Sequence, residues 1–135
     1  MAIEGKAVAG KSWMWIVGWI LSMLPILFMG PMAIAFALFK MDMVRKGITE
    51  NGYKEHHAPL IIGLEIACAI LYAIPQTAVL GAILLTGYFG GAIATHVRID
   101  DPGWPFPLFL AVITWLGLFF RDARVRALTP IRWGV

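Results

Sequence analysis

Three long runs without an Asp, Glu, Lys or Arg constrain this chain more than any other feature. They cover 12–39, 66–97 and 102–120, or 28, 32 and 19 residues. A bilayer core takes about 20 helical residues at roughly 1.5 Å rise each. The first run overfills one span, centred on 13–39. Pro25 is expected to bend it and Gly30-Pro31 to break it, leaving either a tilted helix or a span plus a half-helix. The second run extends upstream to Pro59 and is divided by Ile74-Pro75-Gln76-Thr77, which predicts helices over 59–74 and 77–97. Breakers from Asp101 to Pro105 precede a last helix over 105–121. The expectation is a single all-α integral membrane domain over 1–135, a four-transmembrane-helix antiparallel bundle.

Composition agrees. Hydrophobic residues make up 60% and charged residues 14%, against roughly 45–50% and about 25% in soluble domains. So few charges cannot clothe a core of this size in water, and the bilayer becomes the first partner. Cys68 is the single cysteine, which excludes an intramolecular disulfide, a Cys-x-x-Cys pair and a thiolate metal cluster. A net charge of +3 is too sparse for a nucleic-acid stripe, so no nucleic-acid partner is expected. The first 11 residues resemble a basic leader, but the apolar run behind them is about twice a signal-peptide core and reads as a retained helix. With four spans, Lys6, Lys11, Arg121, Arg124, Arg126 and Arg132 share one side. Lys40, Arg45, Lys46, Lys54 and Arg98 share the other. That margin of one places both termini in the cytoplasm. Trp13, Trp15, Trp104 and Trp133 fall near span ends, as an aromatic belt does.

Glu65 lies about six residues inside the second helix, among Ile, Leu and Ala. A charged carboxylate at depth costs about 2.5–3.5 kcal/mol on insertion scales. It must be protonated, paired, or open to a wet cavity, which leaves a structural hydrogen bond or a ligand, proton or quinone-headgroup contact. Alternation of antiparallel spans brings Glu65, His96, Lys40 and Arg98 to one half of the bilayer. They are candidates for proton transfer (Glu65, His96) and ligand contact (Lys40, Arg98, with Tyr88). Alternatively, His96 simply meets water while Lys40 and Arg98 snorkel.

In the third helix Gly87 and Gly91 are four apart, as are Gly90 and Ala94. This spacing favours tight helix packing, with a pocket left by the missing side chains as the alternative. Adjacent His56-His57 with Glu55 lack a second ligand pair at helical spacing, so no metal is expected. Cys68 reads as a small buried hydrophobe. The connector 41–58 reads as an interfacial amphipathic segment with Met41, Met43, Val44 and Ile48 toward lipid.

Leu85-Thr-Gly-Tyr-Phe-Gly-Gly-Ala-Ile-Ala-Thr-His-Val-Arg98 and the stretch from Trp115 to Arg132 closely resemble the DoxX-like family of small four-span bacterial membrane proteins. Gly52-Tyr53, Leu64-Glu65 and Lys40 fall where that family places a Gly-Tyr, an acidic residue and a lysine. Phe36-Ala37 departs from the usual small Ser-Gly pair, and Lys54 from a frequent proline. The resemblance implies a bacterial inner-membrane location and an association with membrane redox chemistry. An accessory subunit of a larger quinone-linked oxidoreductase is the first functional expectation, with other membrane subunits or further copies of the chain as partners. A stand-alone quinone- or lipid-binding enzyme using Glu65 and His96 is the second, and an assembly chaperone the third. No covalent cofactor is expected; a quinone or lipid is the candidate ligand.

Overall fold

Pro25 and the Gly30-Pro31 pair decide how the first apolar run folds. In the computed structural model, which describes the backbone of residues 2–129 and side chains from 13 to 129, helix α1 (Ala2–Met29) runs through Pro25 and stops at Gly30. Gly30 turns the chain at φ −103°, ψ −95°, and α2 (Pro31–Phe39) restarts with the proline in its first turn, where its missing N–H is no loss. Hydrogen bonds from Gly30 to Ile26 (2.9 Å) and from Ile34 to Gly30 (3.0 Å) carry the ladder round the corner. A helix plus a half-helix is thus the form adopted. Then follow α3 (Met41–Glu50), a 3-10 turn (Glu55–His57), α4 (Ala58–Ala73), α5 (Ala78–Arg98), α6 (Pro105–Arg121) and α7 (Ala123–Leu128). Arg132 and Trp133 lie outside the described residues, as do the side chains of Lys6 and Lys11.

Contacts fix the directions. Gly18 meets Arg121 while Phe28 meets Phe106, so α1 and α6 are antiparallel. Ser22 meets Tyr72 and Gly30 approaches Ala69 between α1 and α4. Gly81 sits on Tyr72 and Tyr88 reaches Glu65 between α4 and α5. Trp115 donates to Thr86 between α6 and α5 at 2.7 Å. The four long helices close into an antiparallel ring. The protein is an all-α membrane bundle: Trp13–Phe39, Glu55–Ala73 and Ala78–Arg98 are long and apolar enough to cross a bilayer, and the equally apolar Pro105–Arg121 is shorter, at 17 residues. Outward positions such as Ile20, Leu24, Ile70, Ile83, Leu108 and Val112 remain exposed, as a lipid solvent requires.

Tyr72, in the last turn of α4, is completely buried between the helices. Its hydroxyl donates to the Thr114 carbonyl at 2.7 Å and lies 3.0 Å from the Ser22 hydroxyl. Thr114 bonds back into its own helix at 2.7 Å, and Ser22 shares its one hydrogen between the Gly18 carbonyl, at 2.7 Å, and the Tyr72 oxygen, so the buried hydroxyls are satisfied internally. The Arg121 guanidinium packs between the Trp19 and Tyr72 rings, 4.3 and 4.6 Å from their centroids, and donates to the Tyr72 carbonyl at 2.7 Å. That carbonyl belongs to the last turn of α4, where intrahelical donors run out and a cation is favoured.

Small residues make this closeness possible, but not those the spacing of the third helix singled out. A Cβ on Gly18 or Gly117 would lie 2.5 Å from Arg121 N or Ser22 Oγ, and one on Gly81 would collide with the Tyr72 backbone. At Gly87, Gly90 and Gly91 it would meet nothing within 4 Å, and Ala94 is exposed as well. The expected tight packing of that ridge is therefore corrected within this chain: Gly87 and Gly91 border a cavity, while Gly90 and Ala94 face outward.

Replacing Gly81 with Ala is expected to destabilise the bundle by about 1–3 kcal/mol through overpacking. Gly90→Ala is expected to be neutral or stabilising by up to about 1 kcal/mol. Unfolding of both variants in mild detergent, followed by far-UV circular dichroism, checks the contrast.

Candidate functional site

Two helix ends of the same design build the site. At the end of α3, the Gly52 N–H bonds to Thr49 O and the Tyr53 N–H to Ile48 O, at 3.0 and 3.1 Å. At the end of α5, the Asp100 N–H bonds to Val97 O and the Asp101 N–H to His96 O, at 3.2 and 2.9 Å. Both are Schellman caps, and each needs a left-handed residue after the helix. Gly52 supplies it at φ +87°, and Asp100 at φ +53°, aspartate being among the few side chains that tolerate this region. In each cap the next residue reaches the end of α5. Those two residues are Tyr53 and Asp101.

Both reach the last turns of α5. Thr95 gives its hydroxyl hydrogen to the Gly91 carbonyl at 2.8 Å, so the Tyr53 hydroxyl, 2.9 Å away, donates to Thr95. Asp101 accepts from the Gly103 N–H at 3.0 Å and from His96 Nδ1 at 2.7 Å. The Gly103 N–H and, after it, the His96 ring hold the Asp101 carboxyl below the usual carboxylate range. An ionised carboxylate only accepts, so His96 carries its hydrogen on Nδ1 and keeps Nε2 for another partner. A Cβ on Gly103 would come within 3.4 Å of the imidazole, so glycine lets this loop lie against the ring.

Tyr53, Thr95 and His96 line part of a cavity of about 540 Å³ between α2, α3, α4 and α5. Phe36, Met43, Val44, Ile48, Ile61 and Ile62 give it apolar walls; Asn51, Tyr53, Glu65, Tyr88, Thr95 and His96 are its polar members, and Gly87 and Gly91 provide room. Glu65 is neither bare nor ion-paired: Tyr88 donates its hydroxyl to one carboxyl oxygen. No hydrogen bond to the other oxygen is found among the described residues. Of the connector residues expected toward lipid, Met43, Val44 and Ile48 border this cavity, Ile48 buried and Met43 still 58% exposed.

Glu65, Tyr88 and His96 thus border one cavity, Glu65 against Tyr88 and His96 about two turns further along α5, whereas the two cations placed with them do not. Lys40 is exposed at the corner between α2 and α3 and lines no part of the cavity. Arg98 donates to the Asn51 carbonyl at 2.6 Å and fits against Gly52, latching the α3 cap to α5. Depth along a helix follows from counting residues, but azimuth does not. Tyr53 and Asp101 were not expected at the site. Their signal was local: a residue able to be left-handed directly before each. Among the described residues no three His, Cys, Asp or Glu side chains gather as a metal site, and Cys68 is buried one turn from Glu65.

The sequence model of the DoxX-like family matches residues 20–117, which contain every residue of this cavity. No curated protein and no solved structure matches the chain.

Because the Asp101 carboxyl is lowered, its stabilising contribution is complete above the ordinary carboxylate value of about 4 and is lost as pH falls through its folded value. Asp101→Asn is therefore expected to show a shallower loss of thermal stability below about pH 4 than the parent. Melting curves between pH 3 and 7 test this.

Proposed function

The chain belongs to the DoxX-like family, and we propose that it binds a small amphiphilic molecule of the quinone class through the cavity of Glu65, Tyr88 and His96. One observation carries this reading: a carboxyl group deep in an apolar helix, held by one tyrosine, borders a space large enough for a substituted ring. A structural glutamate is usually closed off by its partners; here Glu65 keeps an oxygen for a guest. In this reading Glu65 hydrogen-bonds or exchanges a proton with a ring oxygen, Tyr88 orients the carboxyl, and His96, set by Asp101, serves as the second donor or acceptor. Phe36, Met43 and Ile62 cover the apolar part. Lys40 and Arg98 drop out as ligand contacts.

The chain would cross the bacterial inner membrane four times with both termini cytoplasmic. Helix α6, about 25 Å long by rise, would cross with Trp104 and Arg121 at the two interfaces. A second role, as an accessory subunit of a larger quinone-linked oxidoreductase, is favoured by the outward Gly90 and Ala94, whose missing bulk admits a neighbouring helix. The two roles are compatible, since a cavity on a subunit can serve a redox centre on its partner.

Titration of the purified protein with a short-chain ubiquinone, followed by isothermal calorimetry, is expected to saturate. Glu65→Gln and Tyr88→Phe are each expected to weaken binding about tenfold, a loss of about 1.4 kcal/mol. Absence of saturation, or parental affinity in both variants, overturns the ligand reading. For the subunit reading, native mass spectrometry after gentle extraction is expected to show stoichiometric partners that Gly90→Leu displaces. A chain that stays alone counts against it.

A further inference from the structure

The other end of the bundle holds a smaller hollow of about 210 Å³, whose border includes Trp15, Trp19, Pro75, Arg121, Asp122 and Arg124. Arg121 is its unusual member. The guanidinium is half-buried between two aromatic rings, with one nitrogen on the Tyr72 carbonyl and Nε buried without a hydrogen-bond partner. Among the described residues no carboxylate lies within 4.0 Å of it. The adjacent Asp122 instead uses one oxygen on the Arg124 N–H, at 2.9 Å, and the other on the Arg124 guanidinium, at 3.3 Å. The α4 end offers Arg121 about half a negative charge, and the Asp122 carboxylate, which borders the same hollow, attracts it from beyond 4.0 Å while bonded to Arg124. A partly desolvated cation without a direct anionic partner leaves room for one.

Level and surroundings identify the anion. The hollow lies where α1, α4 and α6 reach the end of their apolar length, and Trp15, itself 55% exposed, stands beside it as interfacial tryptophans do. Arg124 is exposed and rests on Asp122 through bonds of 3.3 Å, geometry weak enough to let it turn toward a second partner. We propose that this hollow is a binding site for the phosphodiester of an anionic phospholipid, with Arg121 as the fixed cation, Arg124 as the movable one, and Trp15 and Trp19 against the glycerol and upper acyl chain. Guanidinium suits this ligand because its planar donors match two phosphate oxygens at once. The site is independent of the cavity at Glu65.

The test uses the full chain in mild detergent, with melting temperature and native mass spectrometry read after adding phosphatidylglycerol, phosphatidylcholine or glycerol phosphate. Phosphatidylglycerol is expected to raise the melting temperature by several degrees and to be retained at least tenfold more than phosphatidylcholine. Glycerol phosphate, which has the anion without the chains, is expected to do neither. Arg124→Gln and Trp15→Ala change exposed side chains, so they are expected to melt like the parent in phosphatidylcholine while losing the phosphatidylglycerol increment. Arg121→Gln, expected to melt lower throughout, should lose the increment too. Equal stabilisation by the two lipids overturns the proposal, as does an increment unchanged in Arg124→Gln and Trp15→Ala. Stabilisation by glycerol phosphate matching that of the lipid would make this a soluble-anion site and overturn the lipid as occupant.

Discussion

Tyr72 is the group on which the arrangement of the bundle depends. Lipid offers no hydrogen bonds, so a hydroxyl buried in a membrane bundle must find its partners inside the protein. Tyr72 finds Ser22 on α1 and the Thr114 carbonyl on α6, while its backbone carries Gly81 of α5 and its carbonyl takes Arg121. Four helices therefore meet at one residue. Each approach is possible because a glycine stands opposite: Gly81 against the Tyr72 backbone and Gly117 against Ser22. Dispersion and internal hydrogen bonds, rather than the hydrophobic effect, hold such a contact in lipid.

Closure at one end has its counterpart at the other. Helices drawn together around Tyr72 leave a gap beyond Glu65, where α5 carries Gly87 and Gly91 but no neighbouring helix comes close enough to use them. The same residue type thus does opposite work along one helix. At Gly81 the missing side chain is filled by backbone, and at Gly87 and Gly91 it is left as space. The half-helix α2 and the short α3 cover that space, and the break at Gly30-Pro31 is what lets the chain turn to do so.

Much of this was legible beforehand, because charge and proline act locally. The apolar runs, the corner at Gly30-Pro31, the split at Pro75 and the need of Glu65 for a partner all follow from residues read in order. The side of the helix each residue occupies does not. Lys40 and Arg98 lie toward the same end of the bundle as Glu65 yet outside the cavity: Arg98 stands ten residues beyond Tyr88, the partner of Glu65, and bonds to the Asn51 carbonyl. The Gly87–Ala94 ridge looked like packing because spacing records which residues share a face, not what that face meets. Arg121 and Arg126 entered the charge balance as surface cations. In the fold one is clamped at the end of α4, and the other donates to the Phe119 and Phe120 carbonyls at the end of α6, at 2.8 and 2.7 Å. Aromatic partners and bare carbonyls are invisible to counting.

The roof of the cavity has a mechanical consequence. Helix α3 buries one side chain, Ile48, and is fastened at its far end by the Arg98 latch and the Tyr53–Thr95 bond. None of these ties touches Tyr72. The contacts that hold the roof are few and lie apart from those around Tyr72, so α3 is expected to detach at lower cost than the bundle opens. A flat guest entering sideways from the bilayer would then have to part only these few contacts, and its residence would be governed by how fast a ten-residue helix lifts rather than by how firmly the four long helices hold together.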